Sequence, residues 1–340
     1  MQKLIFVSIL LVSLSTLQAQ ENKTGEKKKF TYDTTLIVDL TDKPDLYFNV
    51  TGKINHVDIG SEASDNSLKI RPNGNTVLGF GIDTKWIGLS ASFSLPFMNK
   101  DEDIYGKTES FDIQVNYYGN SFGVDAWARH YKGFYLDNPE DFVNWPNDNY
   151  PLLSGMETYG LGLSGYYFFN HKTFSYKAAF PRTMFQKKSS GSFVVGGFAS
   201  RGVADMPDGV IPPQLPDSLN DDFDIRGFSN SMVGLTFGYT YTWVFAKNFF
   251  VNVSLVPGVG YVWPEVQKSL DNVVYDPSVS LQLTTRLALG YEGRHFYAGF
   301  NIVAIADNFA YENIDVSSAS GNLRLFIGKR FDVKNWFKKK

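Results

Sequence analysis

The 340-residue sequence contains no cysteine. Disulfide staples, thiol chemistry and a lipid-modified N-terminal cysteine are therefore excluded. Beyond its first twenty residues it also lacks any stretch approaching the ~18 uninterrupted apolar residues that a spanning helix needs. A strong charge of one sign is missing too: the formal net charge is -3, which gives no footing for nucleic-acid binding. Histidine is scarce. His56, His130, His171 and His295 are the four present, none has a partner at metal-ligand spacing, and no metal or other cofactor is expected.

What the chain does have is aromatic residues at 16%, thirty glycines and an ordinary apolar share of 43%. That mixture suits strands that are apolar on one face only. The beginning, MQKLIFVSILLVSLSTLQAQ, has Lys3, an apolar run from Leu4 to about Leu14 and small or polar residues up to Ala19. It reads as a cleaved export signal over residues 1–19. Residues 20–43, opening QENKTGEKKKF, read as a flexible polar leader. A barrel is expected over 44–332, followed by a basic tail at 333–340.

Period-two alternation fills the expected barrel. In SMVGLTFGYTYTWVF, Val233, Leu235, Phe237, Tyr239, Tyr241, Trp243 and Phe245 are large and apolar, while Gly234, Thr236, Gly238, Thr240 and Thr242 are small. The same division recurs in LYFNVTGKI, WIGLSASFSL, FDIQVNY, SVSLQLTTRLALGY and NLRLFIGKRF. Such alternation is that of a strand lying between two different environments. Short turns join the strands in pairs at Asp83-Thr84-Lys85, Gly119-Asn120-Ser121, Asn170-His171-Lys172, Ala246-Lys247-Asn248 and Glu292-Gly293-Arg294. Longer polar connections, roughly 97–107, 134–153, 201–228, 262–276 and 307–317, separate the pairs. The best helical candidate is PRTMFQKKS at 181–189. Residues 181–228 resist simple pairing, because a strand at Phe193–Ala199 breaks the parity of short and long connections.

The polar face is rich in Gly, Ser, Thr and Asn rather than in the long charged residues of a solvated sheet. Small side chains suit the inside of a closed barrel. The expected fold is thus an all-β, antiparallel up-and-down transmembrane barrel of about twelve strands (~10–14), with short periplasmic turns and long extracellular loops. Aromatics near strand ends, among them Tyr117, Tyr118, Tyr131, Phe134, Tyr135, Tyr166 to Phe169, Trp243, Phe245, Phe249 and Phe250, suggest interface girdles.

The run RPNGNTVLGFGI, the hairpin FDIQVNYYGNSFGVDAWARHYKGFYL, the FSYKAAF and QKKSSGSF stretches, and GYTYTWV with NFFVNVSLVPGVG together resemble the bacterial family catalogued as domain of unknown function 4421. The resemblance covers most of the chain outside the export signal. It implies an outer-membrane-barrel-like protein and no catalytic residues.

Candidate chemistry is thin. Gly160-Leu-Gly162-Leu-Ser-Gly165 matches G-x-G-x-x-G, but it runs on into Tyr166-Tyr167-Phe168-Phe169 instead of opening a helix, so small inward strand residues explain it. Asp112, Asp125, Arg129, Lys177, Arg286, Arg324 and Arg330 alternate with apolar neighbours and are expected in the lumen. There they form a self-neutralising network or a selectivity surface for an anionic solute. The loop DNPEDFVNWPNDNY offers Asp141, Trp145, Asp148 and Tyr150 as a possible ligand surface for sugar or calcium, and Asp221–Asp224 invites the same thought, although neither has calcium-loop spacing.

The reading that follows is a non-enzymatic outer-membrane barrel for passage of a small solute or for envelope structure. Its expected partners are outer-membrane lipid and the outer-membrane insertion machinery. Two rivals stand beside it: an outer-membrane enzyme acting on lipid or envelope glycan through a cross-strand Ser and His, and a soluble periplasmic lipid-binding barrel.

Overall fold

The computed structural model describes residues 31–331 apart from 42, 63, 75, 84–87, 95–100, 217, 218, 220–222, 269–271 and 312, and describes 64, 65, 83, 88–94 and 272 by backbone only. The expected export signal, most of the leader, the basic tail, Thr84 and Lys85 of the first turn, and Asp221 and Asp222 lie outside the described residues.

The alternating segments form strands, and ten of them close into an antiparallel ring. Round the wall the order is β2 (Asp45–Ser61), β16 (Ile314–Arg330), β15 (Phe296–Tyr311), β14 (Ser278–Glu292), β12 (Phe249–Gln267), β11 (Gly227–Phe245), β10 (Ser190–Asp205), β8 (Leu152–Phe168), β7 (Phe122–Leu136) and β3 (Ser64–Arg71), which returns to β2. The first and last long strands pair from Arg330↔Asp45 to Ile314↔Ser61. The β3–β7 contact is brief, at Ile70↔Leu136 and Arg71↔Tyr135.

Nearer the turns, β4 (Thr76–Asp83) continues β3 along the same edge of β2, one residue out of register. A further strand, β5 (Gly88–Ser94), pairs with β4, and β6 (Glu109–Tyr118) pairs with β7. No ladder joins β5 to β6 among the described residues. Adding β5 and β6 to the ring, with β3 and β4 read as one interrupted strand, makes a meander of twelve, in keeping with the sequence pattern.

The faces divide as the alternation requires. Along β11, Val233, Leu235, Phe237, Tyr239, Trp243 and Phe245 are exposed, whereas Thr236, Thr240 and Thr242 are buried in the lumen. Leu235 is 71% exposed and Thr240 is 0% exposed; a soluble fold would reverse that order. The apolar exterior continues through Phe111, Ile113 and Val115 on β6, Leu161 and Leu163 on β8, Leu281, Leu283 and Leu289 on β14, and Leu325 and Ile327 on β16. The ten-strand ring pairs every one of its own edges, the condition for a sheet to sit in hydrocarbon, whereas the outer edges of β5 and β6 have no ladder among the described residues.

Toward the loops the division inverts. Val57, Ile59, Leu68, Ile70, Met156, Met232, Val262, Val266 and Val316 point inward and form an apolar core together with Met206, Val210, Ile211, Leu215, Phe223 and Ile225 of the 206–226 connection. That connection was expected to be a polar loop, but its apolar side chains cap the barrel. Gly133 helps to set the change of facing on β7. Its φ is +87°, a Cβ there would stand 2.2 Å from the Lys107 carbonyl oxygen, and the register with β8 shifts between Lys132 and Phe134. A glycine bulge of this kind re-aims the strand, so Phe134 and Leu136 follow Tyr131 into the interior.

Several expectations need correction. The Asn170-His171-Lys172 segment is not a complete hairpin turn: the β8–β10 connection spans residues 169–189 and contains α2 (Tyr176–Ala179) and β9 (Met184–Gln186). The helical candidate at 181–189 therefore holds a short strand, with the helix just before it; α1 (Glu102–Tyr105) lies in an earlier loop. This longer connection restores the parity that Phe193–Ala199 had broken. Within the expected leader, β1 (Ile37–Asp39) pairs with β9. The expected 307–317 connection is mostly strand, with β15 running to Tyr311 and β16 starting at Ile314, which pairs with Tyr311, and β13 (Asn272–Val274) pairs back onto β12. Of the supposed girdle, Tyr117, Tyr167, Phe169, Trp243, Phe245 and Phe249 do face outward, Tyr131, Phe134, Tyr166, Phe168 and Phe250 are interior, and Tyr135, between the inward Phe134 and Leu136, is buried against Tyr105 and Tyr150.

Placing Arg at Leu235 should destabilise the folded barrel in lipid vesicles by about 2–4 kcal/mol, the range for a cation on the lipid face near mid-bilayer. Thr236→Val, one position along, should cost less than ~1 kcal/mol, because the buried Thr236 hydroxyl has no hydrogen-bond partner to lose. Urea unfolding of both variants checks the pair.

Candidate functional site in the barrel lumen

Neighbouring strands bring their inward polar side chains together in the lumen, at two separate levels. At the inner level, Asp125 on β7 and Arg286 on β14, far apart in sequence, form a buried ion pair across the barrel. Tyr118 donates its hydroxyl to Asp125 and accepts from Arg286 Nη1 at 2.6 Å, and Asn116 Nδ2 donates to the same carboxylate. The guanidinium also stands 5.7 Å from the ring centroids of Tyr176 and Phe180. One carboxylate thus serves three donors in a space walled by aromatic rings, an arrangement that fixes the pair rather than leaving it open.

On the neighbouring stretch of wall, Asp112 on β6 receives Lys53 Nζ at 3.0 Å and Arg129 Nε at 3.6 Å. Arg129 also donates to Ser320 Oγ and lies 4.3 Å from the Trp127 ring centroid. The indole is seated on Gly160 and Gly162, where a Cβ would approach it to 2.9 Å and 2.5 Å respectively. The G-x-G pattern is thereby accounted for as a groove for Trp127. Arg324 Nε donates to Thr51 Oγ1 at 3.3 Å, and Gln282 and Asp307 hydrogen-bond at 2.8 Å.

At the turn end the lumen is occupied by the 169–189 connection. Phe174 and Tyr176 pack with Phe168, Tyr166 and Val194, while Ala178 and Met184 pack with Ile37 of β1. Gln186 is buried, its side chain joining the Ser175 amide and the Thr173 carbonyl. Arg330 ties this plug to the wall: it forms an ion pair with Glu292 and donates to the Arg182 and Gly293 carbonyl oxygens at 3.0 Å and 3.2 Å. Arg182 is itself buried, with φ +55° and its guanidinium 3.6 Å from the Phe326 ring centroid. Tyr297 donates to Asp45 at 2.9 Å alongside. A space of about 10 Å³ remains between plug and wall beside Gln186, Asn248 and Glu292, room for a single water at most.

Six of the seven expected lumen charges, Asp112, Asp125, Arg129, Arg286, Arg324 and Arg330, are inside. They do not form one cluster. Lys177 is a correction: it sits half-buried on α2, not on a wall strand, and donates to Asn120 in the β6–β7 turn at 3.3 Å. Lys53, Glu292, Asp45 and Arg182 belong to these networks without being among the expected lumen charges, and Tyr118, expected in the interface girdle, turns inward to Asp125 and Arg286. Lys53 lay on the polar face of its strand and could have been found. Glu292 was read as a turn residue, though its parity matches Arg286.

The loop candidates do not converge. Asp141 accepts from Asn138 Nδ2 at 2.7 Å and lies 3.7 Å from Lys69 Nζ, Trp145 donates to its own loop at the Asn149 carbonyl, and Asp148 is exposed. Tyr150 stacks on Tyr105 at 5.1 Å, and partial burial there raises its phenol above the ordinary value. No group of three or more metal-ligating side chains occurs among the described residues. His130 stacks on Tyr159 on the outer wall and approaches Glu157 to 3.2 Å, while His171 contacts the Phe168 carbonyl.

A family model described as "Domain of unknown function (DUF4421)" matches residues 31–331. No curated protein matches. Among solved structures, the chain is similar to the outer membrane protease OmpT of Escherichia coli, at 8% identity and TM-score 0.39, covering 88% of this chain and 100% of that one. It is also similar to the translocator domain of the autotransporter NalP of Neisseria meningitidis, at 8% identity and TM-score 0.32, covering 96% of each chain. A third is the Pseudomonas putida toluene transporter TodX, at 8% identity and TM-score 0.28, covering 85% of this chain and 90% of that one.

Arg286→Met should destabilise the barrel by about 3–5 kcal/mol, because it strands the Asp125 carboxylate without its buried partner. The double variant Arg286→Met with Asp125→Leu should recover most of that loss. Equilibrium unfolding of the two single variants and the double variant in lipid measures the coupling.

Proposed function

This chain belongs to the DUF4421 family, and we propose that it is a non-enzymatic outer-membrane barrel, shut at rest, with a structural role in the cell envelope. The export signal expected from the sequence supports that compartment, and insertion would depend on the outer-membrane insertion machinery. The observation that carries the reading is the plug: residues 169–189 fill the turn end, Arg330, itself paired with Glu292 on the wall, holds them through the Arg182 carbonyl, and β1 adds a strand to them. At the other end the 206–226 connection contributes six buried apolar side chains to the cap. Between plug and cap, Asp112 and Asp125 are matched by Lys53, Arg129 and Arg286, while Arg324 and Asp307 are hydrogen-bonded to Thr51 and Gln282.

A second reading, gated passage of a small solute, is favoured by one specific feature. The middle of the lumen is lined by Thr240, Thr242, Asn252, Ser254 and Thr284, all buried and polar, so displacing the plug would uncover a hydrophilic surface.

Single-channel recording in planar bilayers tests the proposal. The intact protein should give no steady conductance, and replacing residues 171–188 by a short Asn-Gly turn should produce conducting steps. Steady conductance from the intact barrel would overturn the closed state and leave the passage reading in its place.

A further inference from the structure

The outer wall near the turns carries a trough of about 900 Å³, almost wholly apolar. Its origin can be read from the register. One row of outward side chains runs Phe80, Phe48, Ile327, Ala298, Tyr291, Phe249, each paired with the next across β4, β2, β16, β15, β14 and β12. Five large side chains flank a single methyl group, so the surface dips at Ala298. The trough belongs to the exterior that the membrane reading turns toward lipid, and the inference rests on that reading.

The edge of the trough toward the turns is cationic. Lys329 lies one outward step below Ile327, cross-strand from Phe296 and Leu46. Lys247 stands in the turn after Phe245 and before Phe249, and Arg294 in the turn after Tyr291. All three are exposed. None has an ion-pair partner among the described residues; Lys329 has only the faces of Phe296 and Phe331, at 5.3 Å and 5.7 Å. An apolar trough with three unmatched cations along one edge is complementary to a molecule with hydrocarbon at one end and negative charge at the other.

We propose that this trough is a binding site for one anionic phospholipid of the turn-side leaflet, its acyl chains over Ala298 and its phosphate among Lys247, Arg294 and Lys329. The geometry also sets the orientation: the headgroup is level with the short turns and the chains run toward mid-bilayer.

Native mass spectrometry of the purified barrel, delipidated and then offered equal phosphatidylglycerol and phosphatidylcholine, tests the site. Variants must first retain the heat-dependent gel mobility of the folded barrel, so that loss of the fold, which would count against the membrane reading itself, is distinguished from loss of the site. The intact protein should retain phosphatidylglycerol over phosphatidylcholine by about tenfold. Lys247→Ala, Arg294→Ala and Lys329→Ala together should bring that ratio toward one. Ala298→Trp, which fills the dip and keeps the cations, should reduce retention of both lipids. Equal retention by the intact protein, a ratio unchanged in the triple variant, or a dimer that releases both lipids on forming would each overturn the proposal.

Discussion

A barrel wall is one residue thick, so every strand position faces either outward or inward, and its neighbour faces the opposite way. Most of what this chain does structurally follows from that constraint. Large apolar side chains take one face, and Gly, Ser, Thr and Asn take the other because inward-pointing side chains have to fit a confined space. The same constraint makes charge inside the wall expensive unless it is matched at short range. Asp125 with Arg286, Asp112 with Lys53 and Arg129, and Glu292 with Arg330 are three answers to that one requirement.

Closure depends on the same economy of space. The middle of the lumen is filled by polar side chains. The turn end is filled by a connection that folds back inside, and the loop end by a small apolar core. The result resembles two barrels stacked end on end: one with apolar residues outward and polar residues inward, the other with the order reversed. That reversal marks where the wall leaves hydrocarbon, and it explains why a chain with an apolar outer belt also contains a buried core of ordinary composition.

Much of this was legible in the residues. Parity alone assigned Val233 through Phe245 to the outside and six of the seven lumen charges to the inside. Lys177 was misassigned because parity applies only on a strand, and Lys177 is on a helix within the plug. Arg182 and the plug itself carry no periodic signal, since their packing is set by the shape of the barrel mouth. The loop-end core did leave a trace that alternation by itself hides. On β2 the apolar positions switch from Leu46, Phe48, Val50 and Ile54 to Val57 and Ile59, a change of phase and not of period. Strand β11 shows the same change between Val233 and Met232. A phase change within an unbroken strand is a change of environment, and it locates the membrane boundary more sharply than the aromatic residues do.

The absence of cysteine turns that claim into a direct experiment, since any thiol introduced is the sole one in the chain. Single cysteines at each position from 232 to 243, in protein reconstituted into vesicles, can be labelled with a polarity-sensitive fluorophore and probed with a lipid-borne quencher. The account predicts quenching at Val233, Leu235, Phe237, Tyr239 and Tyr241, and none at Gly234, Thr236, Gly238, Thr240 and Thr242. Quenching without a period of two, or water-like emission at the odd positions, would contradict it.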